Sequence, residues 1–172
     1  CNTAHAPAIF DVIRASVAGF EGPLRLLHLI DETADHLAAR YPNLRTVGVL
    51  STTGTWRVRL YPERLAARGL GAVAPDAALQ ETIHAAIYHP AHGIKSAGRV
   101  TARARADLER GVVALRAQGA EVVVLGCTEM PLAFAAGDYE SLPLVDATWV
   151  LARALIRAVD PQRLKPLPPQ SL

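Results

Sequence analysis

Apolar residues along this chain follow two spacings, and each spacing predicts a different kind of element. Continuous apolar runs at 46–50 and 121–125 are typical of parallel strands that are covered on both faces. Other segments carry apolar residues every three or four positions, which is the spacing of a helix with one apolar face. The pattern predicts strands at 24–30, 46–50, 72–74, 121–125 and 142–145, and helices at 5–20, 31–41, 56–68, 75–88, 101–118, 131–136 and 147–159.

The first predicted helix has a clear apolar stripe. Pro7 suits its first turn, and Gly19 is expected to end it. The following helix is expected to begin with Asp31 as its N-cap. The side chains expected on the buried face of the first helix are Ile9, Val12, Ile13, Ser16, Val17 and Phe20.

Strands that alternate with helices predict an α/β fold with a mostly parallel sheet flanked by helices. In such folds, ligands bind at the carboxyl ends of the strands. Three polar segments fall at those ends, at 1–3, 51–55 and 127–129. We therefore expect the three segments to meet and to form the functional site.

Composition excludes several classes of protein. The chain has 172 residues, of which 51% are hydrophobic and 20% are charged, as in ordinary globular domains. The net charge is +2 and the sixteen arginines are scattered, so nucleic acid is not an expected partner. No apolar run reaches membrane-spanning length and no leader is recognisable, so we expect no membrane partner and a cytoplasmic location.

Two cysteines, Cys1 and Cys127, carry the candidate chemistry, and each is followed by small hydroxyl or amide side chains at a predicted strand-to-helix junction. A thiol at a helix N-terminus is expected to have a lowered pKa. Two thiols that face each other could remove a proton from one face of a carbon and return one to the other. That is the chemistry of a cofactor-independent racemase. The side chains suited to hold the substrate carboxylate as charge develops on it are Asn2, Thr3, Thr52 and Thr128.

Other interpretations of these residues are weaker. An isolated cysteine is commonly a small buried hydrophobe, but both cysteines here lie beside capping residues at strand ends. A hydrolase that uses Cys1 with its α-amine is disfavoured, because the matching Cys127 motif lies mid-chain. A structural disulfide is disfavoured because nothing indicates secretion. His89 and His92 lack further ligands nearby, so we expect no metal, and no glycine-rich phosphate motif indicates a nucleotide.

Two motifs resemble those of a known family. The segments Cys-Asn-Thr-Ala-His at 1–5 and Gly-Cys-Thr-Glu-Met-Pro-Leu at 126–132 resemble the two signature motifs of the aspartate/glutamate racemase superfamily. Glu129 resembles the aspartate racemase branch, whereas glutamate racemases of cell-wall synthesis usually have His there. The segments 50–55 and 144–146 also resemble family segments, so the resemblance covers nearly the whole chain.

The resemblance implies an α/β enzyme of two pseudo-symmetric lobes, each with a mostly parallel sheet flanked by helices and with the active site between them. Residues 1–45 and 142–160 would form the first lobe, 46–141 the second lobe and 161–172 an extended tail. Family members carry an earlier segment of the first lobe that is not found here. An incomplete first lobe would leave apolar faces uncovered, and the chain alone would be inactive or prone to aggregate.

The resemblance also implies roles for single residues. Cys1 and Cys127 would be the acid/base pair, with no cofactor, and Asn2, Thr3 and Thr128 would hold the α-carboxylate and amino group of aspartate or glutamate. Lys95 would pair with the side-chain carboxylate of that substrate. Dimers are common in this family, so a homodimer is compatible with it. The alternatives are another superfamily reaction (hydantoin racemase, maleate isomerase or arylmalonate decarboxylase) and a homologue that binds a small acid without turnover.

Overall fold

The computed structural model describes residues 2–22, 24–134 and 138–167. Its helices are α1 (Pro7–Val17), α2 (Leu29–Arg40), α3 (Thr53–Arg57), α4 (Leu60–Ala66), α5 (Ala77–Tyr88), α6 (Ile94–Ala97), α7 (Ala102–Ala117) and α8 (Ala147–Val159). Its strands are β1 (Thr46–Ser51), β2 (Gly71–Val73), β3 (Val122–Gly126), β4 (Asp138–Tyr139) and β5 (Leu142–Asp146). Short 3-10 helices lie at Asn2–His5, Met130–Ala133 and Pro161–Arg163.

The strands form one five-stranded sheet in the order β2-β1-β3-β5-β4. β1, β2, β3 and β5 are parallel, and only the short β4 pairs antiparallel, with β5. Ser51 is the register partner of Gly126, and Leu125 is the partner of Asp146. The carboxyl ends of the three central strands therefore lie side by side, and the prediction of a mostly parallel α/β fold is confirmed.

Both faces of the sheet are buried, as the continuous apolar runs predicted. Leu50, Val123 and Leu125 belong to a cluster with residues of α5 and α7, whereas Val47 and Val124 belong to a cluster with α2, α4 and α8. Side chains alternate between the two faces along a strand, so every apolar residue of β1 and β3 finds a covering helix. This double burial holds the strand ends rigidly in place.

The lobe boundaries, 1–45, 46–141 and 142–160, remain a prediction. β5 belongs to the segment expected to return to the first lobe, and it pairs with β3 in the single sheet that the described residues form. α8 packs on α2, with an ion pair of 2.5 Å between Arg157 Nη2 and Glu32 Oε2.

The strand predicted at 24–30 is wrong. Residues 24–28 are irregular, and 29–30 already belong to α2. The N-cap of α2 is His28, not Asp31, because the Nδ1 atom of His28 accepts the backbone N–H of Asp31 at 3.3 Å. An apolar run becomes a strand only where a neighbouring strand supplies its hydrogen bonds, and no described strand lies beside this run.

The buried face predicted for the first helix is also wrong. Within α1 the buried side chain is Phe10, which was not on the predicted face, and His5 belongs to a preceding 3-10 helix. The exposed fractions on that face are 46% for Ile9, 63% for Val12 and 37% for Ile13, and Phe20, just beyond α1, is 62% exposed. The helix is amphipathic, but no described element covers its apolar face.

Two other predicted helices differ in detail. The helix expected at 56–68 is divided into α3 and α4 at Arg59, whose backbone is left-handed with φ 48°. The helix expected at 131–136 is a 3-10 helix at Met130–Ala133, and residues 135–136 lie outside the described part of the chain. The short strand β4 was not predicted, because its two residues carry no apolar pattern.

Candidate functional site

The polar segments at the strand ends meet at the carboxyl edge of the sheet. The 3-10 helix Asn2–His5 lies beside α3, where the Oγ1 atoms of Thr3 and Thr55 are hydrogen-bonded at 2.9 Å. β1 delivers residues 51–55 to this edge, and its neighbour β3 delivers Cys127. The expected meeting is therefore present for the described residues, while Cys1 lies outside them.

Tyr61 links the N-terminal segment to the end of β3, and sequence reasoning missed it. Its hydroxyl donates to Asn2 Oδ1 at 2.5 Å. A Cβ atom on Gly126 would lie 3.3 Å from Cε2 of the Tyr61 ring. Burial raises the pKa of Tyr61, and nearby Asp146 and Cys127 raise it further, so its phenol stays a donor. The spacing of Tyr61 and Leu65 on one helix face was the available signal.

Cys127 is buried, with 8% of its surface exposed, and its thiol contacts the residue two positions on. Cys127 Sγ donates to Glu129 Oε2 at 3.0 Å, and Thr128 Oγ1 donates to the same oxygen at 2.8 Å. The other oxygen of Glu129, Oε1, lies 3.3 Å from Lys95 Nζ. Lys95 also lies over the ring of Tyr88, 5.0 Å from its centroid.

The expectation of a lowered thiol pKa at Cys127 is wrong. Burial raises the pKa of Cys127 to about 12; the Glu129 carboxylate raises it too, while the backbone N–H of Glu129 and the Lys95 cation lower it. The element after Cys127 is a four-residue 3-10 helix, not an α-helix. The aligned N–H groups that lower a thiol pKa at an α-helix N-terminus are therefore lacking.

Three polar atoms close to the end of β1 are buried and lack a hydrogen-bond partner among the described residues: Asn2 Nδ2, Ser51 Oγ and Thr53 Oγ1. A buried polar atom without a partner costs about 1–3 kcal/mol. Such groups are uncommon in folded proteins unless water or a ligand satisfies them. Their concentration at this edge of the sheet favours a binding site for a polar small molecule.

A cavity of about 290 Å³ opens beside the carboxyl ends of β1 and β2. Its polar lining includes Ser51, Thr55 and Tyr61, which lie at this edge of the sheet. Two cationic side chains, Arg57 and Arg59, also line it. A cavity with hydroxyl groups and cations and with no carboxylate among its lining residues suits an anionic ligand.

The other predicted site residues occupy different positions. Thr52 is buried at the N-cap of α3, but its side chain makes no capping hydrogen bond. Thr128 is exposed, and its hydroxyl contacts Glu129. Lys95 reaches Cys127 only through Glu129, a link that the sequence interpretation did not contain.

His5 lines the start of the N-terminal region. Its ring stacks on Phe10 at 5.2 Å and meets His28 edge-on at 4.9 Å. Burial, with a smaller contribution from the neighbouring His28, lowers the pKa of His5 to about 4. The imidazole is therefore neutral at pH 7.

His89 and His92 stack on each other at 3.9 Å. In the described part of the chain, no group of three or more His, Cys, Asp or Glu side chains is arranged to hold a metal ion. Nor does any helix among the described residues have the length and apolar character needed to cross a membrane.

The fold and the strand-end cysteine define an α/β protein with a candidate small-molecule site at the carboxyl edge of its sheet. Residues 1–155 match the family model described as Asp/Glu/Hydantoin racemase, and the chain belongs to that family. The resemblance inferred from the two motifs is thereby confirmed.

Solved structures have the same fold. A candidate Asp/Glu racemase from Yersinia pestis superposes with a TM-score of 0.72 and 29% identity, covering 90% of this chain and 61% of that chain. An aspartate racemase from Picrophilus torridus superposes with a TM-score of 0.64 and 26% identity, covering 92% of this chain and 59% of that chain. An aspartate racemase homologue from Pyrococcus horikoshii OT3 superposes with a TM-score of 0.66 and 24% identity, covering 88% of this chain and 62% of that chain.

A curated relative, an uncharacterised protein in the pnlA 3′ region of Pectobacterium carotovorum subsp. carotovorum, is 33% identical over 108 residues. That match covers 62% of this chain and 66% of the relative. The chain thus spans about three fifths of the length of the solved structures that it matches.

Proposed function

We propose that this protein racemises aspartate or glutamate without a cofactor, with Cys1 and Cys127 as the two acid/base groups at Cα. The observation that carries the proposal is the group of buried polar atoms without partners at the end of β1, beside the strand that delivers Cys127. Membership of the racemase family supports the reaction class. The names of the Yersinia pestis and Picrophilus torridus proteins support acidic amino acids as substrates.

The carboxylate of the substrate would be held by donors at the edge of the sheet. Among the described residues, Asn2 Nδ2 and Ser51 Oγ lack a hydrogen-bond partner and can donate to it. Thr3 and Thr52 would provide further hydroxyl groups, and so would Thr128 once its hydroxyl turns from Glu129 to the substrate. Removal of the Cα proton moves negative charge onto this carboxylate, so donors fixed in place lower the barrier. Lys95, 41% exposed in its side chain, would pair with the second carboxylate of the substrate.

The proton transfers require one thiolate and one thiol. The thiolate takes the Cα proton from one face, and the thiol gives its proton to the opposite face, so the configuration inverts. Each turnover leaves the two cysteines with exchanged protonation states, and their titrations are therefore coupled. The proposal includes a cytoplasmic location and a homodimer as its expected setting.

The deciding experiment follows Cα deuterium incorporation into L-aspartate and L-glutamate in D2O by NMR. It is run on this chain and on a version that carries the additional segment found in relatives. Exchange is expected in at least the longer version, and Cys127→Ser is expected to reduce it by about 10³-fold, because a hydroxyl is a far poorer base. A matched control is Ser96→Ala, which alters an exposed side chain of α6.

Two outcomes would contradict the proposal. Absence of exchange in both versions, with the fold intact by circular dichroism, would favour a homologue that binds a small acid without turnover. Full activity in Cys127→Ser would contradict the acid/base role of this residue. Parallel assays with a 5-substituted hydantoin test the second candidate, hydantoin racemisation, which the description of the matching family favours.

A further inference from the structure

Three side chains form a continuous line of polar contacts from the buried thiol to the surface. Cys127 Sγ donates to Glu129 Oε2 at 3.0 Å, and Lys95 Nζ lies 3.3 Å from Glu129 Oε1. Exposure increases outward along the line, from 8% for Cys127 to side-chain values of 19% for Glu129 and 41% for Lys95. Each oxygen of the Glu129 carboxylate thus has its own partner.

The contact between Cys127 and Glu129 has only one favourable protonation state. An ionised carboxylate accepts hydrogen bonds and cannot donate one, so Sγ must carry the proton in this geometry. A thiolate 3.0 Å from the carboxylate oxygen would meet a like charge in a buried site. Burial opposes ionisation of Glu129, but hydrogen bonds from Cys127, Thr128 and Lys95 lower its pKa overall, so the carboxylate is charged.

We propose that Glu129 is a positioning residue that holds Cys127 as a thiol in the resting protein, so that Cys127 is the proton donor of the first turnover. Lys95 opposes this effect: its ammonium group forms an ion pair with Glu129, and its positive charge lowers the pKa of the Cys127 thiol. Two further groups face Cys127: the backbone N–H of Glu129, which lowers the pKa of the thiol, and the phenol of Tyr61 on α4.

The inference about which enantiomer is converted first rests on the proposed racemase function. A resting thiol at Cys127 means that the opposing base removes the Cα proton, while the S–H bond breaks and its proton forms the new Cα–H bond. To restore the resting state, the thiolate left at Cys127 takes a proton from solvent and the opposing base releases the former Cα proton to solvent. The resting protein would therefore act first on the enantiomer whose Cα–H points away from Cys127.

The test measures the thiol directly and needs no turnover. In a Cys1→Ser background Cys127 is the only cysteine, so alkylation by iodoacetamide at fixed pH reports its thiolate. Glu129→Gln keeps the shape but removes the negative charge, and a fall of about one pH unit in the thiol pKa is expected. Because a less basic thiolate is also less nucleophilic, the expected gain in rate is about three- to fourfold.

Lys95→Gln gives the opposite prediction, a slower alkylation, because loss of the cation raises the thiol pKa. Loosening of the site would instead make alkylation faster in both variants. Rate changes of opposite sign in Glu129→Gln and Lys95→Gln therefore exclude a merely structural effect. Glu81→Gln, an exposed glutamate on α5, is the matched control and is expected to leave the rate unchanged.

An unchanged or slower rate in Glu129→Gln, or a faster rate in Lys95→Gln, would overturn the inference. Thermal unfolding of each variant checks that the fold is retained, and Glu129→Asp, which keeps the charge on a shorter arm, is expected to keep the rate low. A failed deuterium exchange alongside opposite alkylation shifts would reject the racemase function and leave the role of Glu129 intact.

Discussion

The surroundings of β3 and the N-terminal region 2–28 are built from similar residues, yet they differ in burial. Around β3, Val123, Val124 and Met130 are fully buried, and helices cover both faces of the sheet. In the N-terminal region, α1 buries Phe10 and leaves Ile9 and Val12 largely exposed. The comparison teaches that an apolar stripe does not by itself bury a helix face, because burial needs a covering element.

Burial has the same electrostatic effect in both regions, although the pKa moves in opposite directions. Removing a group from water disfavours its charged form, so the pKa of the Cys127 thiol rises and that of His5 falls. Both groups are thus neutral at pH 7. The N-terminal region also encloses a cavity of about 540 Å³, lined in part by Phe10, His28 and Asp31, and this cavity does not include Cys127.

The largest expected difference between the regions comes from truncating one isoleucine in each. Ile83 is fully buried in α5, so Ile83→Ala should lower the free energy of unfolding by about 2–5 kcal/mol. Ile9 is 46% exposed, and Ile9→Ala should lower it by no more than about 1 kcal/mol. Urea unfolding measures both, and equal losses would mean that α1 is covered in solution.

A second pair of substitutions adds one methyl group in each region. A Cβ atom on Gly111 would lie 2.6 Å from Leu50 Cδ1 and 2.9 Å from Ile83 Cδ1, so Gly111→Ala should cost about 1–3 kcal/mol. Gly19 has open space around the same position, and Gly19→Ala should be neutral or stabilise by up to about 1 kcal/mol. A neutral Gly111→Ala would show that the side chains of Leu50 and Ile83 move aside freely.

The histidines of the N-terminal region make the stability of the protein depend on pH. Burial lowers the pKa of His5 from 6.5 to about 4, and burial also lowers that of His28. Between pH 6.5 and about 4, the unfolded chain therefore binds more protons than the folded chain. The free energy of unfolding is unaffected by this difference above pH 6.5 and decreases as the pH falls toward 4.

Hydrogen exchange of α1 and α2 amides at about pH 7.5 and about pH 5 measures this effect. Exchange after correction for intrinsic rates should be faster at the lower pH. The double variant His5→Gln with His28→Gln should lose much of that dependence, while the lowered pKa of His36 supplies a remainder. A dependence that persists unchanged in the double variant would contradict the assignment to these two residues.

Much of the fold followed from local patterns. β1 and β3 were predicted almost residue for residue, because unbroken apolar runs match strands covered on both faces. The neighbouring positions of residues 51–55 and Cys127 followed from parallel strand order. The strand predicted at 24–30 failed for the opposite reason, since no strand among the described residues lies beside this segment to supply the hydrogen bonds of a sheet.

The sequence by itself determined the alternation of strands and helices, the family and the position of Cys127 at the end of a buried strand. Only the tertiary structure decided the state of that thiol, because it depends on desolvation and on a cation that lies far away along the chain. Glu129 and Lys95 are 34 residues apart, and no local pattern encodes their contact. Burial of the thiol and the ion pair beside it arise from contacts between separate elements, so they can be determined only from the assembled structure.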